Sequence, residues 1–92
     1  MANVWTDRLE ELGIALPEVA APVAAYVPAV RAGDQVWTSG QLPFVGGELP
    51  ATGKVGAEVS PADAQGYARQ AALNALAAVH DAVGLDNVAR VL

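Results

Sequence analysis

A long segment in the second half of the sequence has the start, the stop and the internal spacing of a single α-helix. Ser60 can cap its amino end, Pro61 suits the first helical position, and Gly84 is suited to ending it. The spacing predicts a helix over residues 61–83, which at 1.5 Å per residue would be about 35 Å long. One face carries apolar side chains, most of them small, at intervals of three and four residues: Ala64, Ala68, Ala71, Ala72, Ala75, Leu76, Val79 and Val83. Such a helix can lie close against a small sheet and cover one of its faces.

A β-hairpin is predicted upstream of this helix, over residues 24–41. Strand-forming residues flank Gly33-Asp34, and a Gly-Asp pair between two such runs is a hairpin signal. Pro28 cannot donate a hydrogen bond to a neighbouring strand, so the first strand must lie at an edge or be bulged there. The second strand ends in Ser39-Gly40-Gln41, where a hydroxyl stands beside a residue without a Cβ. A ligand could approach the backbone closely at this point and meet the serine hydroxyl.

The remaining predicted elements are short. Residues 6–12 are typical of a helix with acidic residues near its positive end. Gly46-Gly47 predicts a turn, followed by a short strand at residues 48–51. Residues 87–92 alternate like the start of a strand and stop without a turn or a polar tail, so we expect residues 1–92 to be the amino-terminal part of one truncated domain. Together these elements predict an α+β fold in which a mixed β-sheet is packed on one face by the long helix.

The composition restricts the classes of function. The formal net charge is −5 and the five Lys and Arg residues are scattered, so no nucleic-acid partner is expected. The absence of cysteine excludes thiolate chemistry and disulfide bonds. No secretory signal is visible, and no apolar run approaches the roughly 18 residues of a membrane span, so we expect a cytoplasmic protein without a membrane partner. Hydrophobic residues make up 53% of the chain, which favours apolar surface hidden in an oligomer; the alternative is that alanines raise this figure without forming a patch.

Taken one at a time, the candidate site residues have ordinary explanations. His80 is the one histidine of the chain and falls on the predicted helix, with no second histidine or cysteine to share a metal, so a surface histidine is the expected role. The carboxylates show no metal-ligand spacing, and no metal is expected. Tyr26 would pack on the sheet, as aromatic residues in strands usually do. Ser39 would be a hydroxyl at a strand end.

A larger pattern ties these residues to a known family. Tyr26 is followed across the hairpin turn by Val36-Trp37-Thr38-Ser39-Gly40-Gln41-Leu42-Pro43, then by a glycine-rich stretch and a helix that contains Ala68-Arg69-Gln70-Ala71-Ala72-Leu73-Asn74-Ala75-Leu76. Over roughly residues 20–92 the sequence resembles the first part of the domain of the Rid/YjgF family of enamine/imine deaminases.

The resemblance implies a fold, an assembly and a reaction. The implied fold is chorismate-mutase-like, and the implied assembly is a homotrimer with its pocket between subunits. The implied reaction hydrolyses substrates of the 2-iminobutanoate and 2-iminopropanoate type to a keto acid and ammonia. No cofactor is expected, because an imine carbon is already electrophilic and the site has only to hold the substrate and position a water.

The resemblance also implies roles for single residues near the hairpin. Tyr26 matches a family tyrosine that lines the pocket, and Ser39 matches a serine that contacts the bound acid or water. These two residues are the implied catalytic pair. Gly40 and Gln41 would bind the substrate, with the Gly40 backbone offering a close donor.

Other matches and departures qualify this hypothesis. We expect structural roles for Arg69 and Asn74, with Asn74 bonding backbone near the loop. Many family members have a polar pair where this sequence has Val27-Pro28, and the family's carboxylate-binding arginine would fall after residue 92. We therefore expect the 92-residue chain to be inactive alone. The alternative is a non-catalytic, trimeric module that binds a small carboxylic acid.

Overall fold

The computed structural model describes residues 3–19 and 27–92, and within these ranges the fold is mixed α+β. The order along the chain is α1 (Val4–Glu11), β1 (Ala29–Ala32), β2 (Gln35–Thr38), α2 (Pro61–Val83) and a 3₁₀ turn (Leu85–Asn87). The two strands form one antiparallel sheet, and α2 packs against both of them. Neither helix in the described ranges is long and apolar enough to cross a membrane.

Helix α2 coincides with the range that the sequence predicts. The Ser60 hydroxyl accepts a hydrogen bond from the Asp63 N–H at 3.1 Å, so the cap satisfies one amide of the first turn. At the other end Gly84 has a φ of +79°, a conformation that a residue without a Cβ adopts readily. The most buried residues of the helix lie in its second half, where Ala77 and Ala78 are 4% and 2% exposed. These small side chains allow α2 to pack closely on its neighbours.

Strands β1 and β2 form a hairpin around a two-residue turn at Gly33-Asp34. Gly33 has a φ of +61°, and no non-glycine residue of the described ranges has a positive φ. A positive φ at the first turn position only is typical of the type II′ turn, whose twist matches that of the strands. The two strands cover less of the chain than the hairpin predicted over residues 24–41. The hydrogen bonding between them continues past the end of β2, because the Ser39 N–H donates to the Pro28 carbonyl at 3.0 Å. Residues 24–26 lie outside the described residues.

The two faces of the hairpin have different surroundings. The half-buried Ala29 and Val36 lie on the face that α2 covers. The opposite face carries the cross-strand pair Val30 and Trp37, which are 48% and 62% exposed. Among the described residues, a single covering helix therefore leaves this apolar sheet face open.

Helix α1 ends in a Schellman motif at a glycine. Gly13 has a φ of +69° and donates its N–H to the Glu10 carbonyl at 3.0 Å. The Ile14 N–H donates to the Leu9 carbonyl at 2.9 Å. These two bonds satisfy carbonyls that the helix itself leaves free.

The amino end of α1 is capped from the far end of the chain. The side chain of Asn3, which precedes the helix, makes no capping bond. Instead the Asp86 carboxylate accepts the N–H groups of Trp5 and Thr6 at 2.8 and 2.9 Å. The Trp5 indole N–H also donates to the Val88 carbonyl at 2.7 Å. The helix consequently begins two residues before the predicted 6–12, because an acceptor remote in sequence satisfies its first amides.

Two predicted strands do not form within the described residues. The strand expected at 48–51 reduces to one bridge between Val45 and Glu48 around the Gly46-Gly47 turn. The backbone at Val88 is extended, with φ −81° and ψ 121°, but residues 88–92 pair with no strand in the described ranges. A strand requires a hydrogen-bonded neighbour, and local residue preference does not supply one.

Candidate functional site

The candidate site begins where β2 ends, at Ser39. Its N–H is held by the Pro28 carbonyl, so the backbone at this residue still belongs to the hairpin. Its hydroxyl lies 3.4 Å from the same carbonyl, to which it donates. A hydroxyl has one donor and two acceptor positions, and a 3.4 Å contact is long for an O–H···O bond. The half-buried Ser39 hydroxyl is thus placed by the hairpin but weakly engaged.

Gln41 folds back over Ser39. Its side-chain amide nitrogen lies 3.4 Å from both the carbonyl and the hydroxyl oxygen of Ser39, and it donates to both. Both bonds are at the long limit, so a better acceptor, such as a carboxylate, could replace them. The structure brings together these two residues of the predicted site.

Gly40 lies between them and is open to solvent. No atom lies within 4 Å of the position that a Cβ would occupy there. Within residues 3–19 and 27–92 no acceptor takes its N–H. The conformation of Gly40 does not require glycine, since its φ is not in the left-handed region. The glycine therefore exposes the backbone beside the Ser39 hydroxyl, where the residue type leaves room for a ligand.

Asn74 of α2 anchors the chain just after these residues. It is 3% exposed, and its side-chain nitrogen donates to the carbonyls of Leu42 and Phe44 at 2.9 and 3.1 Å. Its side-chain oxygen accepts from the Gln70 side chain at 3.1 Å. The prediction that Asn74 bonds backbone near the loop is confirmed. The part played by Gln70 was missed, and its i, i+4 spacing to Asn74 is the signal that could have shown it.

The other predicted residues lie apart from this site or outside the described ranges. Tyr26 lies outside the described residues. Arg69 is exposed on α2. His80 is exposed, as expected, and its Nδ1 accepts the Leu85 N–H at 3.1 Å, which helps to close the end of α2.

The fold lowers the pKa of Asp86. The Thr6 hydroxyl, which donates to the carboxylate at 2.6 Å, is the largest cause of the lowered pKa of Asp86. The N–H groups of Thr6 and Trp5 and the charge of His80 lower this pKa further, while desolvation opposes them. All of these contacts stabilise the ionised carboxylate at the positive end of α1. They give Asp86 a structural role.

A wide groove lies elsewhere on the surface, between β2, the second half of α2 and residues 87–92. Its volume is about 1340 Å³, and Val36, Leu76, Val79 and Val88 are among its apolar lining residues. Neither Ser39 nor its two successors line it. Among the described residues, no three His, Asp or Glu side chains come together as a possible metal site.

Known proteins share both the sequence and the fold. A sequence model of the family described as "YjgF/chorismate_mutase-like, putative endoribonuclease" matches residues 6–91. Protein TCP17 of Trypanosoma cruzi is 44% identical over 88 residues, which cover 92% of this chain and 54% of that protein.

Two solved structures are also similar. One, described as a "putative endoribonuclease" from Shewanella oneidensis MR-1, has a TM-score of 0.78 and 39% identity, covering 86% of this chain and 52% of that one. The protein Atu1372 from Agrobacterium tumefaciens, described as having unknown function, has a TM-score of 0.78 and 43% identity, covering 94% of this chain and 53% of that one. The chain spans about half the length of these relatives. With a family match over residues 6–91 and the shared fold, the chain belongs to the YjgF/chorismate mutase-like family.

Proposed function

We propose that this protein hydrolyses reactive enamines and imines of short amino-acid skeletons, of the 2-iminobutanoate and 2-iminopropanoate type, to the keto acid and ammonia. The observation that carries the proposal is the exposed backbone of Gly40 beside a weakly engaged Ser39 hydroxyl. A site of this kind can orient a small polar substrate without extensive rearrangement. Family membership supports the assignment.

The proposed reaction needs positioning more than it needs a strong acid or base. Water adds to the C=N carbon while the nitrogen gains a proton, and the resulting carbinolamine loses ammonia as the C=O bond forms. An enamine first takes a proton at carbon and loses one from nitrogen, which converts it to the imine. Ser39 would orient the water, and the Gly40 N–H and the Gln41 amide would bind polar atoms of the substrate. Tyr26 would line the same pocket.

We also propose that the protein assembles as a homotrimer through the open sheet face. Val30 and Trp37 are 48% and 62% exposed, and burying such side chains stabilises an assembly by about 25 cal/mol for each Å² of apolar surface. Sedimentation velocity tests this proposal. A trimer that dissociates in Trp37→Glu supports it, and a monomeric wild-type protein contradicts it.

Cleavage of RNA is the function that the family description and the Shewanella structure name for other members. The charge of this chain does not favour that function here. The net charge is −5, Arg8 is paired with Glu11 at 3.0 Å, and Arg31 donates to the Gly33 carbonyl. Binding of a phosphate backbone relies on clustered basic residues, which this chain does not have.

The test compares two serine variants of the full-length protein. The imine is generated in situ by an amino-acid dehydratase, and keto acid and ammonia are measured. We expect kcat/KM to fall at least about 10-fold in Ser39→Ala, the size of effect seen when one positioning or proton-transfer group is removed. Ser60→Ala, the same chemical change at the cap of α2, is the matched control and should keep wild-type kcat/KM.

Three results would contradict the proposal. Equal kcat/KM in Ser39→Ala and Ser60→Ala would show that Ser39 does not take part in the reaction. Binding of keto acids by calorimetry without any turnover favours the non-catalytic module. Cleavage of a labelled single-stranded RNA that is lost in Ser39→Ala favours the endoribonuclease.

A further inference from the structure

We infer that Gln70 and Asn74 act together as positioning residues that hold the Ser39-Gly40-Gln41 segment in the geometry required for the proposed hydrolysis. The inference rests on the proposed function and deepens it. Neither residue is placed against the substrate. Both act through the two carbonyls that follow the segment, those of Leu42 and Phe44.

Asn74 is unusual for its surroundings. It is the one buried polar side chain in the described part of the chain, at 3% exposure, on a helix whose other buried residues are Ala77 and Ala78. Burying an amide is unfavourable unless its hydrogen bonds are made. An apolar residue would pack better at this position of α2. The polar side chain is therefore explained by the hydrogen bonds that it makes to the loop.

The amide is fully used, and the bonds pin the loop at two places. One nitrogen donates to two carbonyls that flank Pro43, at 2.9 and 3.1 Å. The Phe44 N–H also donates to the Leu42 carbonyl at 2.8 Å, which closes a tight turn around the proline. Because the φ of Pro43 is fixed by its ring, this turn has little freedom once both carbonyls are held. The first fixed carbonyl lies three residues after Ser39.

Gln70 supports the orientation in which the Asn74 amide binds the loop. Its side-chain nitrogen donates to the Asn74 oxygen at 3.1 Å from one helical turn earlier. The two loop carbonyls require the nitrogen of Asn74, because a rotated amide would present its oxygen to them, which is repulsive. The bond from Gln70 stabilises the same orientation by satisfying the Asn74 oxygen.

The consequence concerns the geometry in which substrate and water meet. A displacement of about 1 Å in a reacting geometry can cost about 100-fold in rate. Loss of the bonds from Asn74 frees two carbonyls that follow the segment carrying Ser39, so kcat should fall. KM should rise as well, because Gly40 and Gln41 of the same segment are proposed to bind the substrate. Recovery of both values when a donor is restored at residue 70 separates positioning from a general loss of fold.

The experiment uses Gln70 variants of the full-length protein that differ in whether they retain a donor. Gln70→Leu removes the donor at similar size, and Gln70→Lys keeps one that can reach Asn74. We expect kcat to fall about 10-fold in Gln70→Leu, with a rise in KM, and both values to be largely restored in Gln70→Lys. Gln65→Leu makes the same change at an exposed position of α2 and should keep wild-type kcat. Asn74→Asp, which replaces the donor by a carboxylate facing two carbonyls, should lose more activity than Gln70→Leu.

Hydrogen exchange of the Ser39 and Phe44 amides, which donate to the carbonyls of Pro28 and Leu42, provides a readout that does not depend on catalysis. Exchange of these two amides should be at least about 10-fold faster in Gln70→Leu than in Gln65→Leu. Faster exchange in a protein that hydrolyses no imine would refute the proposed reaction and leave the anchoring of the loop intact. Equal kcat in Gln70→Leu and Gln70→Lys, in a wild-type enzyme that turns over imines, would overturn the inference. It would also be overturned if exchange of the Ser39 and Phe44 amides were unchanged.

Discussion

Replacing Leu85 by alanine is expected to destabilise this domain more than any other single truncation of a leucine in the described ranges. Leu85 opens the 3₁₀ turn, is 6% exposed, and lies where that turn packs against both α1 and α2. Among the described residues the other buried apolar side chains are Val59, Ala77 and Ala78, all of which are smaller. Leu85 is consequently the largest side chain in the described part of this small core.

The expected loss follows from the removed methyl groups and from the cavity that they leave. Leu→Ala changes at buried sites cost about 2–5 kcal/mol, and about 3 kcal/mol is a central value. A domain of this size has a net stability of about 5–14 kcal/mol, at 0.05–0.15 kcal/mol per residue. A loss of about 3 kcal/mol corresponds to a fall in Tm of about 12–24 °C.

The assay is urea unfolding of the full-length protein at one fixed concentration, followed by circular dichroism. The matched control is Leu12→Ala, since Leu12 is 55% exposed at the end of α1 and should lose no more than about 0.5 kcal/mol. If the two variants unfold within about 0.5 kcal/mol of each other, the core does not depend on Leu85 and the reasoning is refuted.

Two further predictions concern glycine positions and pH. Gly66 lies inside α2 with no atom within 4 Å of an added Cβ, so Gly66→Ala should stabilise the domain by about 0.5–1 kcal/mol. Gly33 has a φ of +61°, so Gly33→Ala should destabilise the domain by about 1–2 kcal/mol. Shifts of the same sign in the Tm of the two variants would contradict this prediction. Because contacts led by the Thr6 hydroxyl lower the pKa of Asp86 in the folded state, its contribution to stability is present above its unfolded pKa and is lost as pH falls through the folded pKa. Asp86→Asn should therefore be less stable than wild type at pH 7, and the difference in urea midpoint should shrink between about pH 5 and pH 3. If the urea midpoints of the two proteins differ by the same amount at every pH, the Asp86 carboxylate does not stabilise the fold in this way.

The elements that the sequence predicts well carry their own end signals. Ser60 and Gly84 determine the bounds of α2 through bonds within a few residues, and Gly33 determines the hairpin turn in the same local way. The bond from Asn74 to the loop was expected because Asn74 matches a position of the family pattern to which we gave a structural role. The site segment itself was predictable from Ser39-Gly40-Gln41, though its contacts were not.

What could not be predicted depends on residues that are distant along the chain. Nothing near Asn3 indicates that Asp86 caps α1, since the two ends of that contact are about 80 residues apart. The strands expected at 48–51 and 87–92 have suitable residues, but pairing depends on a partner that local sequence does not reveal. The acceptor role of His80 likewise depends on how the chain turns after Gly84.

The bond between Asp86 and α1 has a consequence for the order in which the chain folds. A helix of eight residues is shorter than the roughly 12–15 residues at which isolated helices become even marginally stable in water. Its first amides find their acceptor only after a loop of 80 residues has closed, at an entropic cost of about 4 kcal/mol that the rest of the fold must already offset. We therefore expect α1, although it is synthesised before the other described elements, to remain unstructured on the ribosome until Asp86 has emerged, and to be among the last of them to fold.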